Sequence, residues 1–105
     1  MGILDKLFGK KTENNLAAII NNNAFLVDVR EPAEVAEGGV ASATNIPLGS
    51  VLANIDAFKD KKNIVVFCRS GNRSGQAKII LQQNDIANVT NAGTWQDVQT
   101  LLNKH

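Results

Sequence analysis

The sequence predicts an α/β fold with a mostly parallel sheet of four to five strands and helices on both faces. Two apolar runs without polar alternation, at 24–29 and 64–67, are typical of strands that are buried on both sides. Segments with helical spacing separate and follow these runs, as expected for strands joined by crossover helices. Because right-handed crossovers align the strands, their carboxyl ends should share one edge of the sheet, where ligands of such sheets bind.

Apolar spacing and turn residues predict the elements of the first half. Leucine and isoleucine at helical spacing favour a helix that an asparagine run ends, and a proline fits the first turn of a short helix that two glycines terminate. In chain order we expect a helix at 14–22, a strand at 24–29, a short helix at 32–37, an extended segment at 44–46 and a helix at 48–58.

The second half repeats the alternation of strand and helix. The β-branched run at 64–67 predicts a buried strand, and the segment at 74–83 predicts a helix with Ile80 and Leu81 inward. A last short strand is expected at 87–90. Residues 91–93 should then turn the chain into a helix that carries Trp95, Val98, Leu101 and Leu102.

Composition narrows the classes of function. A chain of 105 residues fits one domain, which we place at 12–105, preceded by a tail or short amphipathic helix at 1–11. With 11 basic and 10 acidic residues, the net charge of +1 gives no support for nucleic-acid binding. One cysteine permits no internal disulfide, and one histidine predicts no metal centre. We expect no cofactor, no membrane span and a cytoplasmic location.

Cys68 is the strongest candidate for a reactive residue. It follows the strand at 64–67 and opens a glycine-containing loop, with Arg69 and Arg73 close behind it and a helix beyond. Unpaired backbone N–H groups, the positive end of a helix dipole and two guanidinium groups would each stabilise a thiolate, which is the nucleophilic form. Most lone cysteines are small core residues, but a core cysteine needs no such loop. We therefore interpret Cys68 as a nucleophile.

Asp28 places a charge inside an apolar strand, where an isolated carboxylate would be costly. Arg73, across the sheet edge, is the expected partner, and a cap on backbone N–H groups is the alternative. We expect Arg73 to be held inward and Arg69 to be more exposed.

Several motifs, in this order and spacing, resemble the rhodanese superfamily, in particular its single-domain sulfurtransferases of the phage-shock type. They are VDVREP at 27–32, EG at 37–38, ATNIPL at 43–48, CRSGNRSGQA at 68–77 and VTNAGTW at 89–95. The resemblance implies a three-layer rhodanese fold whose usual first edge strand is short or absent here. It also implies a persulfide on Cys68, supporting roles for Asp28 and Arg30, and a substrate-binding loop of Arg69, Ser70, Gly71, Asn72, Arg73 and Ser74.

The activity that this resemblance implies is sulfur transfer. A small anionic donor such as thiosulfate would load Cys68, and cyanide, a small thiol or a protein thiol would accept the sulfur. A non-catalytic persulfide carrier or protein-binding module is the alternative, because the same loop would serve it. A cysteine phosphatase or arsenate reductase is disfavoured, because those enzymes have five residues between cysteine and arginine, whereas four separate Cys68 from Arg73.

Overall fold

Parallel strands joined by helices form the core of the molecule. The computed structural model describes the backbone of residues 9–103 and the side chains of residues 15–102. In chain order the elements are α1 (Gly9–Ile20), β1 (Phe25–Asp28), α2 (Pro32–Ala36), β2 (Thr44–Asn45), two 3-10 helices (Leu48–Ser50 and Leu52–Phe58), β3 (Ile64–Cys68), α3 (Asn72–Gln83), β4 (Val89–Thr94) and α4 (Trp95–Asn103).

The strands lie in the order β2-β1-β3-β4, and every pairing is parallel. The predicted α/β fold with a parallel sheet is therefore confirmed. Within residues 9–103 the sheet has four strands, the lower of the two predicted numbers. Lys10, Lys11 and Thr12 belong to α1 and not to an edge strand. The predicted tail or helix at 1–11 lies, for residues 1–8, outside the described part of the chain.

Two apolar clusters cover the two faces of the sheet. Alternate residues of β3 point to opposite sides, so that Val66 and Cys68 join one cluster while Val65 and Phe67 join the other. The first cluster packs under α3 and the 3-10 helices, and the second packs under α1 and α4. This central strand is buried along its whole length, which explains its continuous apolar sequence.

The predicted helix at 48–58 is instead two 3-10 helices, and the second of them is interrupted at Asn54, whose φ and ψ are not helical. The Asn54 side chain donates a hydrogen bond to the Ser50 carbonyl, 2.8 Å away. Such local side-chain bonds compete with the regular α-helical ladder, and this one lies where the helix is interrupted.

The last strand is longer than predicted. Residues 91–93 do not turn the chain away but continue β4, in which Gly93 pairs with Phe67 and Thr94 pairs with Cys68. A β-bulge makes this possible, because the register shifts between Val66 and Phe67. Sequence spacing does not reveal a bulge, so asparagine and glycine predicted a turn there.

Within residues 9–103, no helix combines the length and the apolar character needed to cross a membrane.

Candidate functional site

Cys68 ends β3 at the carboxyl edge of the sheet, and its side chain points to the face covered by α3. The loop after it is shorter than predicted. Since α3 begins at Asn72, only residues 69–71 connect the strand to the helix, and Arg73 lies in the first helical turn. Gly71 immediately precedes the helix with φ of 95°, a conformation that favours glycine.

The sulfur of Cys68 is buried, but it faces polar groups of this loop. Cys68 has no exposed surface. The Gly71 N–H donates a hydrogen bond to Sγ at 3.0 Å, and the hydroxyl oxygen of Ser74 lies 3.4 Å from Sγ. The sulfur therefore contacts hydrogen-bonding groups and not hydrocarbon alone.

These contacts decide how readily the thiol ionises. Burial is the largest single influence on the pKa of Cys68, and it raises it. A hydrogen bond that the Ser74 hydroxyl can donate to the thiolate, and those from the backbone N–H groups of Ser74, Ser70 and Gly71, act together in the other direction. The net result is a lowered pKa, to which hydrogen bonds contribute most, in agreement with the backbone N–H groups that the sequence analysis named together with the two arginines.

Arg73 is bound to a carboxylate. Its Nη1 and Nη2 donate to the two oxygens of Glu34 at 2.7 and 2.9 Å, a bidentate pair that ties α3 to α2. Glu34 also accepts a hydrogen bond from the Glu31 N–H at 2.9 Å. The hydrogen bonds from Arg73, and then that from Glu31, lower the pKa of Glu34 to about 2.

Asp28 does not pair with Arg73, and that prediction was wrong. Its partner is Arg30, whose Nε lies 3.0 Å from both Asp28 oxygens and whose Nη2 lies 2.6 Å from Oδ2. The Arg30 backbone N–H also donates to Asp28, as in the alternative prediction of a backbone cap. The physical reason is the strand period of two, which keeps Asp28 and Arg30 on one face while Cys68 points to the other.

A cavity of about 320 Å³ lies at the same edge of the sheet. The guanidinium of Arg30 stacks over the Trp95 ring at 5.1 Å and forms part of its wall. Trp95 packs against the apolar cluster under α1 and α4 but is only partly buried. Arg69, exposed as predicted, lines the cavity, together with Glu34, Glu37, Gly38 and Gln96.

Asn91, on β4, completes the surroundings of the loop. Its Nδ2 donates to the Gly71 carbonyl at 3.1 Å, and its Oδ1 accepts from the Ser74 hydroxyl at 2.7 Å. Asn91 thus reaches both residues that approach the Cys68 sulfur.

Comparison with known proteins identifies the architecture. The sequence model of a family described as a rhodanese-like domain matches residues 12–101. The chain belongs to the rhodanese family. The thiosulfate sulfurtransferase PspE of Escherichia coli is 42% identical over 74 residues, which cover 69% of this chain and 71% of PspE. A sulfurtransferase of Allochromatium vinosum is 35% identical over 69 residues, which cover 66% of this chain and 64% of that protein.

Solved structures agree with this assignment. A rhodanese with anions from E. coli has a TM-score of 0.64 at 38% identity and covers 70% of this chain and 89% of its own. A human single-domain sulfurtransferase has a TM-score of 0.63 at 27% identity, covering 86% of this chain and 90% of its own. The four-stranded parallel sheet flanked by helices is thus a rhodanese fold.

In this rhodanese, the structure brings together most of the loop residues that the sequence singled out. Cys68, Ser70, Gly71 and Ser74 surround one sulfur. Asn72 is exposed in the first turn of α3, and its side chain makes no hydrogen bond to the sulfur. Asp28 and Arg30 lie on the other face of the sheet, where Arg30 lines the cavity and Asp28 binds its guanidinium.

Two polar residues of the site, Glu34 and Asn91, were not predicted. Glu34 stands three residues after Glu31, the spacing of a capping box, and this signal could have placed it at the start of α2. Asn91 carried no comparable signal, because its role depends on the bulge in β4.

Proposed function

We propose that this rhodanese is a sulfurtransferase that moves sulfane sulfur from an anionic donor such as thiosulfate to a thiophilic acceptor through a persulfide on Cys68. The observation that carries the proposal is the Gly71 N–H directed at the Cys68 sulfur at 3.0 Å, inside a loop that lowers the pKa of that thiol. The names of the relatives, sulfurtransferase and thiosulfate sulfurtransferase, support the same reaction class.

In the first half-reaction the Cys68 thiolate attacks the outer sulfur of thiosulfate. A new S–S bond forms to Cys68, the S–S bond of thiosulfate breaks, and sulfite leaves with the bonding electron pair. The negative charge then lies on the terminal sulfur of the persulfide. Backbone donors of the loop would stabilise this charge as an oxyanion hole stabilises an oxyanion.

In the second half-reaction a nucleophile takes the terminal sulfur. Cyanide attacks that atom, and the S–S bond between it and the Cys68 sulfur breaks. Thiocyanate leaves, and the Cys68 thiolate is restored. A small thiol or a protein thiol would take the sulfur in the same way. Because the loop lowers the pKa of Cys68 and so increases the fraction of thiolate, the proposed cycle uses no general base.

The donor has to reach a sulfur with no exposed surface. We infer that it enters from the cavity at the sheet edge, where Arg69 offers an exposed guanidinium next to Cys68 in the chain. Because Cys68 does not line this cavity, the proposal requires the three-residue loop at 69–71 to be displaced when the donor enters. Arg73 would serve a different purpose, since both of its terminal nitrogens bind Glu34 and its charge is neutralised there.

This commitment of Arg73 also weighs against a phosphatase. In a cysteine phosphatase the arginine that ends the loop receives the phosphate oxygens, whereas here it would first have to release Glu34. The four residues between Cys68 and Arg73, against five in those enzymes, point in the same direction. Sulfur transfer is the activity that the site supports best.

Mass spectrometry after treatment with thiosulfate tests the proposal. We expect the intact protein to gain the mass of one sulfur atom and to lose it on addition of cyanide, with release of thiocyanate. Since Cys68 is the only cysteine, the near-isosteric variant Cys68→Ser should show neither. Sulfur gain without turnover on cyanide would favour the carrier alternative, and thiocyanate production by the serine variant would refute the persulfide.

Removing the charge of Arg69 tests the route of the donor. We expect Arg69→Gln to raise the KM for thiosulfate about tenfold, the effect of losing one charge-assisted hydrogen bond. Offloading to cyanide should change less, because that step starts from the persulfide. Lys62→Gln removes an exposed charge at the start of β3, the opposite end of the strand, and is the matched control. Equal effects of both variants would count against a specific role for Arg69.

A further inference from the structure

The orientation of the Asn91 amide is determined by two backbone groups. The Gly71 carbonyl can only accept a hydrogen bond, so the atom of Asn91 that lies 3.1 Å from it is the donor Nδ2. The Gly93 N–H can only donate, so the atom that lies 3.0 Å from it is Oδ1. Both contacts require the same orientation of the side chain.

This orientation determines where the Ser74 proton goes. The Asn91 atom that lies 2.7 Å from the Ser74 hydroxyl is Oδ1, an acceptor, and so Ser74 is the donor. A hydroxyl has one proton. The Ser74 oxygen therefore presents lone pairs to Cys68 Sγ at 3.4 Å. That arrangement suits a thiol, which donates its S–H to Ser74, and it does not suit a thiolate.

The bulge in β4 makes these contacts possible. Across the shift in register, Val66 pairs with Asn91 and Phe67 pairs with Gly93, while Ala92 is left without a partner in β3. Bulges near active sites commonly redirect a side chain. On α3, Gly75 faces Asn91, and a Cβ there would make an ordinary van der Waals contact with Nδ2 at 3.4 Å.

We propose that Asn91 is a positioning residue for Cys68. Its Oδ1 accepts the hydrogen bond of the Ser74 hydroxyl while Cys68 is a thiol, and the hydroxyl donates this hydrogen bond to the sulfur instead when the thiolate forms. On ionisation the thiol proton leaves to water, and the Ser74 O–H rotates from Asn91 Oδ1 to Sγ. The bond to Asn91 opposes this rotation, so it makes the thiolate harder to form. The inference rests on the proposed function, in which that thiolate is the nucleophile.

Other charges act on Cys68 and have to stay constant in a test. The loop and the elements packed on the two faces of β3 carry Arg69, Arg73, Lys78, Asp28, Asp56 and Asp97, while β4 carries no charged residue. Arg73 is paired with Glu34, and Asp28 is paired with Arg30. Substitutions at Asn91 and Ser74 leave all of these in place.

The pH profile of Cys68 alkylation by iodoacetamide tests the proposal in the full chain. Asn91→Ala removes the competing acceptor, and we expect the pKa of Cys68 to fall by about one unit, the effect of one hydrogen bond gained by the thiolate. Asn91→Asp supplies a stronger acceptor and a negative charge, and we expect the pKa to rise. A purely structural role would move both variants in the same direction.

Dependence on Ser74 provides the second arm. In a Ser74→Ala background no hydroxyl proton remains to be shared, so Asn91→Ala should no longer change the pKa of Cys68. A rise of this pKa in Asn91→Ala, or a fall that persists without Ser74, would overturn the proposal. If Asn91→Ala does not fold, Asn91→Leu offers nearly the same shape without an acceptor and should give the same fall.

Asn88→Ala is the matched control. Asn88 is exposed and donates to the carbonyls of Lys61 and Lys62 at the other end of the sheet, so this variant should leave the pKa of Cys68 unchanged. Alkylation does not require sulfur transfer. A wild-type protein that forms no persulfide would defeat the proposed function, while opposite shifts in the two Asn91 variants would still support the role of Asn91.

Discussion

Each arginine near the sulfur has its own partner or surface, and the three are not interchangeable. Arg73 binds Glu34, Arg30 binds Asp28 and stacks on Trp95, and Arg69 is exposed. Two of the three charges are thus neutralised locally. The backbone N–H groups and Ser74 lower the pKa of the thiol, and Arg69 offers an exposed charge for an anion.

The pair of Glu34 and Arg73 makes a testable contribution to stability. Glu34 has its pKa lowered from 4.5 to about 2, so its ionised form stabilises the fold above pH 4.5, and this stabilisation is lost as the pH falls through about 2. The variant Glu34→Gln lacks this stabilisation at every pH. We expect the variant to have a lower Tm than wild type at neutral pH, with the gap closing between pH 4.5 and about 2.

Thermal unfolding followed by circular dichroism across this pH range is the measurement. Glu37→Gln is a suitable control, because Glu37 is exposed at the end of α2. The Tm of this variant should follow that of wild type across the pH range. A gap between wild type and Glu34→Gln that stays constant down to pH 2 would contradict an ionic contribution from Glu34.

At the scale of elements, the junction between β3 and α3 sets the geometry around the sulfur. Gly71 adopts φ of 95°, and a Cβ at this position would lie 3.3 Å from the Cα of Gly93 on β4. The same residue donates its N–H to Cys68 and accepts a hydrogen bond from Asn91 at its carbonyl. Glycine is needed here both for the backbone conformation and for the close approach of β4.

Gly71→Ala should therefore destabilise the domain and perturb the thiol. The left-handed conformation costs an alanine about 1–2 kcal/mol, and the contact with β4 adds to this. We also expect a higher pKa of Cys68, since the displaced peptide no longer donates to the sulfur. Denaturant unfolding and the alkylation pH profile measure the two effects.

Gly49→Ala is the control for Gly71. A Cβ at Gly49 would meet nothing within 4 Å, and Gly49 is not among the positive-φ glycines of the described residues. We expect its stability to stay within about 0.5 kcal/mol of wild type. A Gly71→Ala protein as stable as Gly49→Ala, with an unchanged pKa of Cys68, would contradict this role for Gly71.

At the scale of the whole molecule, the parallel topology places the chemistry at one edge. The carboxyl ends of β1 and β3 lie side by side, with Asp28 paired to Phe67 in register, so that Cys68 and the Asp28–Arg30 pair share that edge on opposite faces. The apolar clusters on both faces anchor the strands, and the connecting loops carry the polar residues. The cytoplasmic location, the acceptor and, for residues 1–8, the tail or short amphipathic helix expected at 1–11 stay predictions.

Much of this architecture was accessible from the sequence. Burial on both faces of a parallel sheet requires continuous apolar strands, and so 24–29 and 64–67 revealed the fold class without any tertiary information. Cys68 was equally visible, because a strand end followed by a glycine-containing loop and a helix is a local pattern. Both the fold class and the prominence of Cys68 thus follow from local patterns of residues.

The partners of the charged and polar residues were decided only by the tertiary structure. Arg73 meets Glu34, 39 positions earlier in the chain, and Ser74 meets Asn91 across a bulge whose register no spacing rule predicts. Such contacts depend on how whole elements pack, and several pairings satisfy the same local preferences. The sequence alone therefore determined the parallel sheet and singled out Cys68, while packing of β4 and α2 against the loop determined which groups contact the sulfur and which arginine is exposed.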